Sequence, residues 1–229
     1  MDDAQVERAK RRAGESAAET VDDGDVVGLG TGSTAAHAIR ALGAAVDAGR
    51  DVVGVATSHQ SRAVAREAGV PLQPLAAVSR VDVAVDGADE TLPDGRALVK
   101  GGGAAHAREK VVDAAADRFL AVVDERKVVE TLSHPVPVEV LPPARSAVAA
   151  RVASLGGEAT LREAVRKDGP VVTDNGSLVF DCDFGVVDDP ERLATALSAV
   201  PGVVEHGLFV GLADAVHVGG PDGVRVTGG

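Results

Sequence analysis

Apolar residues in the first half of the chain follow two alternating spacings. Val6, Ala9, Ala13 and Ala17 recur at three- and four-residue steps and predict a helix over residues 4–20. The run DVVGLG at 25–30 predicts a short buried strand that ends in glycine. Helical spacing returns at 34–46, a strand follows at 51–58, and a helix with a glycine stop covers 59–69. Strands at 81–87 and 96–101, a helix at 104–117 and a strand at 118–124 continue the series. Strand and helix in alternation, with short connections, predict a parallel sheet with helices on its faces.

The rhythm changes beyond residue 131. Residues 134–143 (HPVPVEVLPP) are proline-rich and extended, and 144–157 read as a helix. Next come an extended stretch at 158–165, a turn at 167–169 and a second extended stretch at 170–184, with Asn175-Gly176 as a hairpin turn. A helix with proline near its start spans 190–200, and a strand 202–209. The order β-α-β-β-α-β fits a ferredoxin-like unit. Residues 214–220 and 223–229 return to the first unit as a closing hairpin. The fold class expected is α/β: a Rossmann-like parallel-sheet domain of residues 1–131 plus 208–229, and a smaller ferredoxin-like α+β domain of residues 132–207.

Composition narrows the setting. The chain has 229 residues, 45% of them hydrophobic, ample for a core. No run approaches the roughly 20 apolar residues of a membrane span. The charged start MDDAQVERAKRRAG lacks the apolar segment of a signal peptide. Cys182 is the one cysteine, so no internal disulfide can form. A soluble cytoplasmic protein with no membrane partner is expected. The net charge of −12 argues against a nucleic-acid partner. Five lysines stand against eighteen arginines. Such a surface suits a protein kept soluble in high salt; codon bias in a GC-rich genome gives the same composition, and both stay open. The scarcity singles out Lys10, Lys100, Lys110, Lys127 and Lys167.

Candidate chemistry gathers at three glycine-rich turns, each at the carboxyl end of an expected strand, where open parallel sheets bind ligands. GLGTGSTAAH (28–37) offers free backbone N–H groups with Thr31, Ser33 and Thr34 hydroxyls at a helix start, a good anion cradle. It lacks the Gly-Lys-Ser/Thr end of a P-loop and is a poor dinucleotide fingerprint; alone it reads equally as a capped turn. VAVDGADE (83–90) crowds Asp86, Asp89 and Glu90 into one turn, with Asp86 directly after a buried-looking strand. Close carboxylates disturb each other's titration, which is useful in proton transfer. LVKGGGAAHAREKVV (98–112) places Lys100 at a strand end, Gly101 to Gly103 behind it, and Glu109 in the helix that follows. His37, His59, His106, His134, His206 and His217 form no metal-ligand spacing, so neither a metal nor another cofactor is expected. His106 is read as structural or solvent-facing, and Cys182 as inert.

GTGSTAAH (30–37), VDGADE (85–90), KGGGAAHAREK (100–110) and VVDERK (122–127) together resemble type A ribose-5-phosphate isomerase. PVEVLP (137–142), VVTDNG (171–176) and VPGVVEHGLF (200–209) resemble the same family, and the similarity runs from about residue 5 to the end. The resemblance implies metal-free interconversion of ribose 5-phosphate and ribulose 5-phosphate, with Glu109 as proton acceptor. It implies a sugar-phosphate site lined by Thr31, Gly32, Ser33 and Thr34, by Asp86, Gly87, Ala88 and Asp89, and by Lys100, Gly101, Gly102 and Gly103. Lys127 matches a substrate-binding lysine, although DERK is less typical than the motifs around it. Lys10 matches a phosphate contact, and family members form homodimers or homotetramers. The apolar stretches VPVEVLP and GVVEHGLFVGL, which need cover, point the same way.

The residues suit that chemistry. Moving a carbonyl from C1 to C2 needs a base for the C2 proton, and one carboxylate can return it to C1. Lys100 and the N–H groups of the glycine turn are placed to stabilise the enediolate. Asp86 or Asp89 can shift the proton between O1 and O2, and the residues do not divide that work. A non-catalytic sugar-phosphate sensor would need a DNA-binding segment that residues 1–24 are too short to form. An amino-sugar phosphate deaminase would favour a histidine where Asp86 stands.

Overall fold

A computed structural model describes residues 1–166 and 168–228 of the chain. Six helices and thirteen strands are defined among them. Helix α1 (Asp3–Ala18) opens on a capping box, in which Asp2 and Gln5 each accept the other's backbone N–H. Then follow β1 (Val26–Leu29), α2 (Ser33–Asp47), β2 (Val53–Ala56), α3 (His59–Glu67) and β3 (Val81–Gly87). Two short strands, β4 (Glu90–Thr91) and β5 (Ala97–Val99), precede α4 (His106–Ala115) and β6 (Ala116–Asp124). The second half holds β7 (Val136–Val140), α5 (Arg145–Ser154), β8 (Glu158–Leu161), β9 (Leu178–Asp183), α6 (Pro190–Ser198) and β10 (Val203–His206). It ends with β11 (Leu208–Val210), β12 (Ala215–Gly219) and β13 (Val224–Thr227).

The main sheet has the order β13-β12-β6-β3-β1-β2, parallel except for β13. Strand side chains alternate between two cores, as the pleat requires. Leu120 and Val122 of β6, with Val83 and Val85 of β3, face α1, α2 and α3. Phe119, Ala121 and Val123 face the opposite way and meet Leu98 and Phe209. That second face is where expectation and structure part. The strand expected at 96–101 is β5, and it pairs antiparallel with β4 and β11 in a separate three-stranded sheet. Alternating strands and helices predict only helices on this face; α4 shares it with a small sheet.

Strands β7 to β10 form an antiparallel sheet of order β10-β7-β9-β8, the ferredoxin-like arrangement. Every residue of β7 is buried, so VPVEV lies at the centre of this sheet and is covered by the chain itself. The apolar core there also takes in Leu92, Ala97, Val99 and Leu208 from the neighbouring elements. The expected Asn175-Gly176 turn is present, closed by the Gly176 N–H on the Thr173 carbonyl at 2.9 Å. The turn expected at 167–169 involves Lys167, which lies outside the described residues. Among the described residues no helix is long and apolar enough to cross a membrane.

Candidate active site

The chain runs from β1 outward to β2, then returns to the other side of β1 as β3. The strand order therefore reverses between β1 and β3, and a crevice opens beyond their carboxyl ends. The loop after β1 and the end of β3 meet across it. Asp86 Oδ1 accepts the Thr31 N–H at 3.0 Å and the Gly87 N–H at 2.7 Å. Residue 30 must be glycine, because a Cβ there would stand 2.1 Å from Asp86 Cγ. Gly32 takes φ +113° and hands over to α2, whose first N–H groups receive no side-chain cap. An uncapped helix N-terminus at a strand end is an anion-binding element.

Lys100 enters from the end of β5. Its Nζ lies 2.9 Å from Asp86 Oδ2 and 3.2 Å from Glu109 Oε2, and donates to the Gly87 carbonyl. It also stands 5.2 Å above the Phe209 ring. All three ionisable side chains are buried. Gly101 to Gly103 carry the chain from Lys100 toward α4, and Ala104 adopts φ 57°, a strained left-handed conformation for a non-glycine. Glu109 lies in the first turn of α4. A buried ion cluster of this kind stabilises a fold poorly, because desolvation offsets much of the attraction. Its value lies in what it does to titration. Burial and the neighbouring Asp86 push Glu109 up from 4.5 to about 7, against the opposing pull of Lys100 and Thr31. Burial also raises Asp86. Burial pulls Lys100 down, but the surrounding carboxylates outweigh it and hold the ammonium charged.

Beside this cluster is a cleft of about 210 Å³. Lys10, Thr31, Gly32, Ser33, Thr34, Gly87, Ala88, Asp89, Lys100, Gly101, Gly102, Gly103, Glu109 and Lys127 all line it. Asp86 alone of the expected residues does not. It is wholly buried beneath the cleft, where it holds Lys100 and the Thr31 backbone. Asp89 reaches the cleft and accepts the Gly102 N–H at 2.8 Å. His106 is buried with Nδ1 against Gly101, leaving no room for a Cβ there, and burial takes its pKa down to about 3. It is structural, not solvent-facing. Burial takes the Cys182 thiol up to about 12, which fits an inert thiol.

Two acidic residues escaped the sequence reading. Asp124, at the end of β6, lines the cleft; Arg126 outweighs the effect of burial and keeps it below the usual carboxylate range. Asp113 lies one turn beyond Glu109 on α4, buried, with burial raising its pKa well above normal. Both signals were present: Asp124 ends a strand as Asp86 does, and Asp113 stands four residues from Glu109, on one helical face. A larger groove of about 800 Å³ runs between α6 and β11. Its lysine, Lys110, is already fixed by Glu205 at 2.7 Å and the His206 carbonyl at 2.6 Å. The smaller cleft holds candidate residues from all three glycine-rich turns.

Fold and site together describe an α/β protein whose cleft gathers lysines, carboxylates and glycine-rich backbone at the carboxyl ends of its parallel strands. The ribose 5-phosphate isomerase A (phosphoriboisomerase A) family model matches residues 53–223. A ribose-5-phosphate isomerase A of Haloarcula marismortui is 67% identical over 95% of this chain and 94% of its own length. One of Methanothermobacter thermautotrophicus is 50% identical over 95% and 96%. A D-ribose-5-phosphate isomerase solved in complex with phospho-erythronic acid superposes with a TM-score of 0.95 at 43% identity, covering 98% of this chain and 99% of that one. The Methanocaldococcus jannaschii enzyme gives 0.92 at 41%, covering 96% and 98%. The chain belongs to the ribose-5-phosphate isomerase A family, and is an enzyme of class EC 5.3.1.6.

Proposed function

We propose that the chain interconverts ribose 5-phosphate and ribulose 5-phosphate through an enediolate, with Glu109 carrying the proton between C2 and C1. The observation that supports this most directly is the placement of Lys100 Nζ between Asp86 and Glu109 at the wall of the cleft. A base must be ionised to accept a proton and a good acid once it has done so; a carboxyl poised near 7 meets both needs. Lys100, already charged and fixed, meets the negative charge that grows on the sugar oxygens without reorganising. Asp89 is the aspartate open to the cleft, so we assign it ring opening and the transfer between O1 and O2. Asp86 acts from below by holding Lys100 in place. Lys10, Lys127 and the uncapped start of α2 supply the cations and N–H groups that a phosphate needs. This reading places the enzyme in the cytoplasm, in the non-oxidative part of pentose phosphate metabolism. It also has the chain working as a homodimer or homotetramer, supported by the edge strand β13 with exposed Val224 and Val226.

The test is turnover of ribose 5-phosphate by the wild type and by Glu109→Gln. The variant keeps size and hydrogen bonding but loses the base. Turnover should fall by about 10²- to 10⁴-fold or more, with substrate binding largely kept. Exchange of the C2 hydrogen with deuterated water should stop. Near-normal turnover and exchange in Glu109→Gln would show that another group is the base. Activity should also survive exhaustive chelation, since the Lys100 ammonium occupies the centre of the carboxylates where a cation would sit. Loss on chelation, restored by a divalent ion, would overturn the metal-free mechanism.

A further inference from the structure

The glycine turn is gripped from outside the cleft. Arg162 follows β8, and its Nη1 donates to the Gly101 carbonyl at 2.9 Å and to the Gly102 carbonyl at 3.1 Å. The other side of the same guanidinium pairs with Asp181 of β9, Nε to Oδ2 at 2.9 Å and Nη2 to Oδ1. Arg162 does not line the cleft, so it has no direct part in the chemistry.

We infer that Arg162, locked by Asp181, is a positioning residue that aims the N–H groups of Gly102 and Gly103 at the reacting side of the turn. The argument is geometric and rests on the isomerase reading above. In a trans peptide the C=O and N–H point in opposite directions. Holding the carbonyls of residues 101 and 102 outward fixes the N–H groups of residues 102 and 103 the other way. The first of these is seen doing so: Gly102 N–H meets Asp89 Oδ2 at 2.8 Å. The second is set facing the cleft that Gly103 lines. Glycine-rich backbone has no conformational preference of its own strong enough to do this, so an outside anchor is needed. The bidentate fork makes arginine the suitable residue: one edge holds the carboxylate while a third N–H group serves both carbonyls. Asp89 is thereby placed too, because its carboxylate follows the Gly102 N–H.

Steady-state kinetics on Arg162→Met, Arg162→Lys and the double variant Arg162→Met/Asp181→Val test the inference. Arg162→Met should lower kcat by about 10²-fold, the scale of a small misplacement of catalytic groups, with KM changed far less. Arg162→Lys, whose ammonium is a point charge without the fork, should recover part of kcat. The double variant removes both partners of the pair, so its melting temperature should return toward wild type while kcat stays low. A structural role predicts the reverse: activity that recovers with stability in the double variant. That result, or an Arg162→Met enzyme within about twofold of wild-type kcat, would overturn the inference. Failure of the Glu109→Gln test removes the isomerase mechanism itself, whereas failure here leaves that mechanism standing and removes only the role of Arg162.

Discussion

Burial makes an ionised Glu109 costly. Its carboxyl is raised to about 7 in the fold from an ordinary 4.5, so the sign of its linkage is fixed. Its contribution to stability is complete below about 4.5 and is lost as pH rises through about 7. The loss is on the order of a few kcal/mol at most. Two outcomes follow at this one residue. With Glu109 as the proposed base, kcat/KM should climb with pH through about 7 and level off, because the free enzyme would then have to carry it ionised. Thermal unfolding at pH 8 should show Glu109→Gln more stable than wild type, with the gap closing near pH 4.5. An equal melting temperature at pH 8 would mean that Glu109 carries no ionisation penalty. Placement at the cleft was largely legible in the sequence where a side chain sits beside a glycine turn: Lys100 and Asp89 line it, and so does Glu109, which the family resemblance singles out. Arg162 was not, because its partners lie some sixty residues earlier and it carries no local motif.

At the scale of elements, the helices and parallel strands were readable because their apolar spacings differ. What spacing cannot tell is which sheet a strand joins. Residues 96–101 form a short apolar run that fits a parallel strand as well as an antiparallel one, and only the tertiary pairing with β4 and β11 decides. Close approach between elements is equally invisible until they are packed. Gly219 of β12 lies under α1 so tightly that a Cβ would come 1.9 Å from the Ala9 carbonyl oxygen. Gly219→Ala should therefore shift α1 and lower stability by about 1–3 kcal/mol, read as the urea midpoint. An unchanged midpoint would show that the helix yields at no cost. Gly30→Ala should act differently. Its Cβ would strike Asp86 inside the site, so turnover should collapse together with stability.

Across the whole molecule, the charge of −12 meets a site that gathers Lys10, Lys100 and Lys127. Salt screens the mutual repulsion of the surface carboxylates, and the melting temperature should rise from dilute buffer to molar KCl. A flat or falling value would leave codon bias as the account of the composition. Sedimentation at working concentration checks association, and a monomer of 23 kDa would count against it. The ferredoxin-like order of β7 to β10 was legible from the sequence; the way its core draws in Leu92, Ala97, Val99 and Leu208 was not, since it joins residues far apart in the chain. The return of the chain to its first sheet has a consequence for biosynthesis. Strand β6 is made well before β12, its neighbour, and all of β7 to β11 must leave the ribosome in between. Until then one flank of β6 stays open, and α1, the first element made, lacks the strand under Ala9 that seats it. A nascent chain stalled within residues 125–214 therefore holds the candidate site residues Asp86, Asp89, Lys100 and Glu109 ahead of the strand that closes their sheet. Such a chain is a natural client for a chaperone.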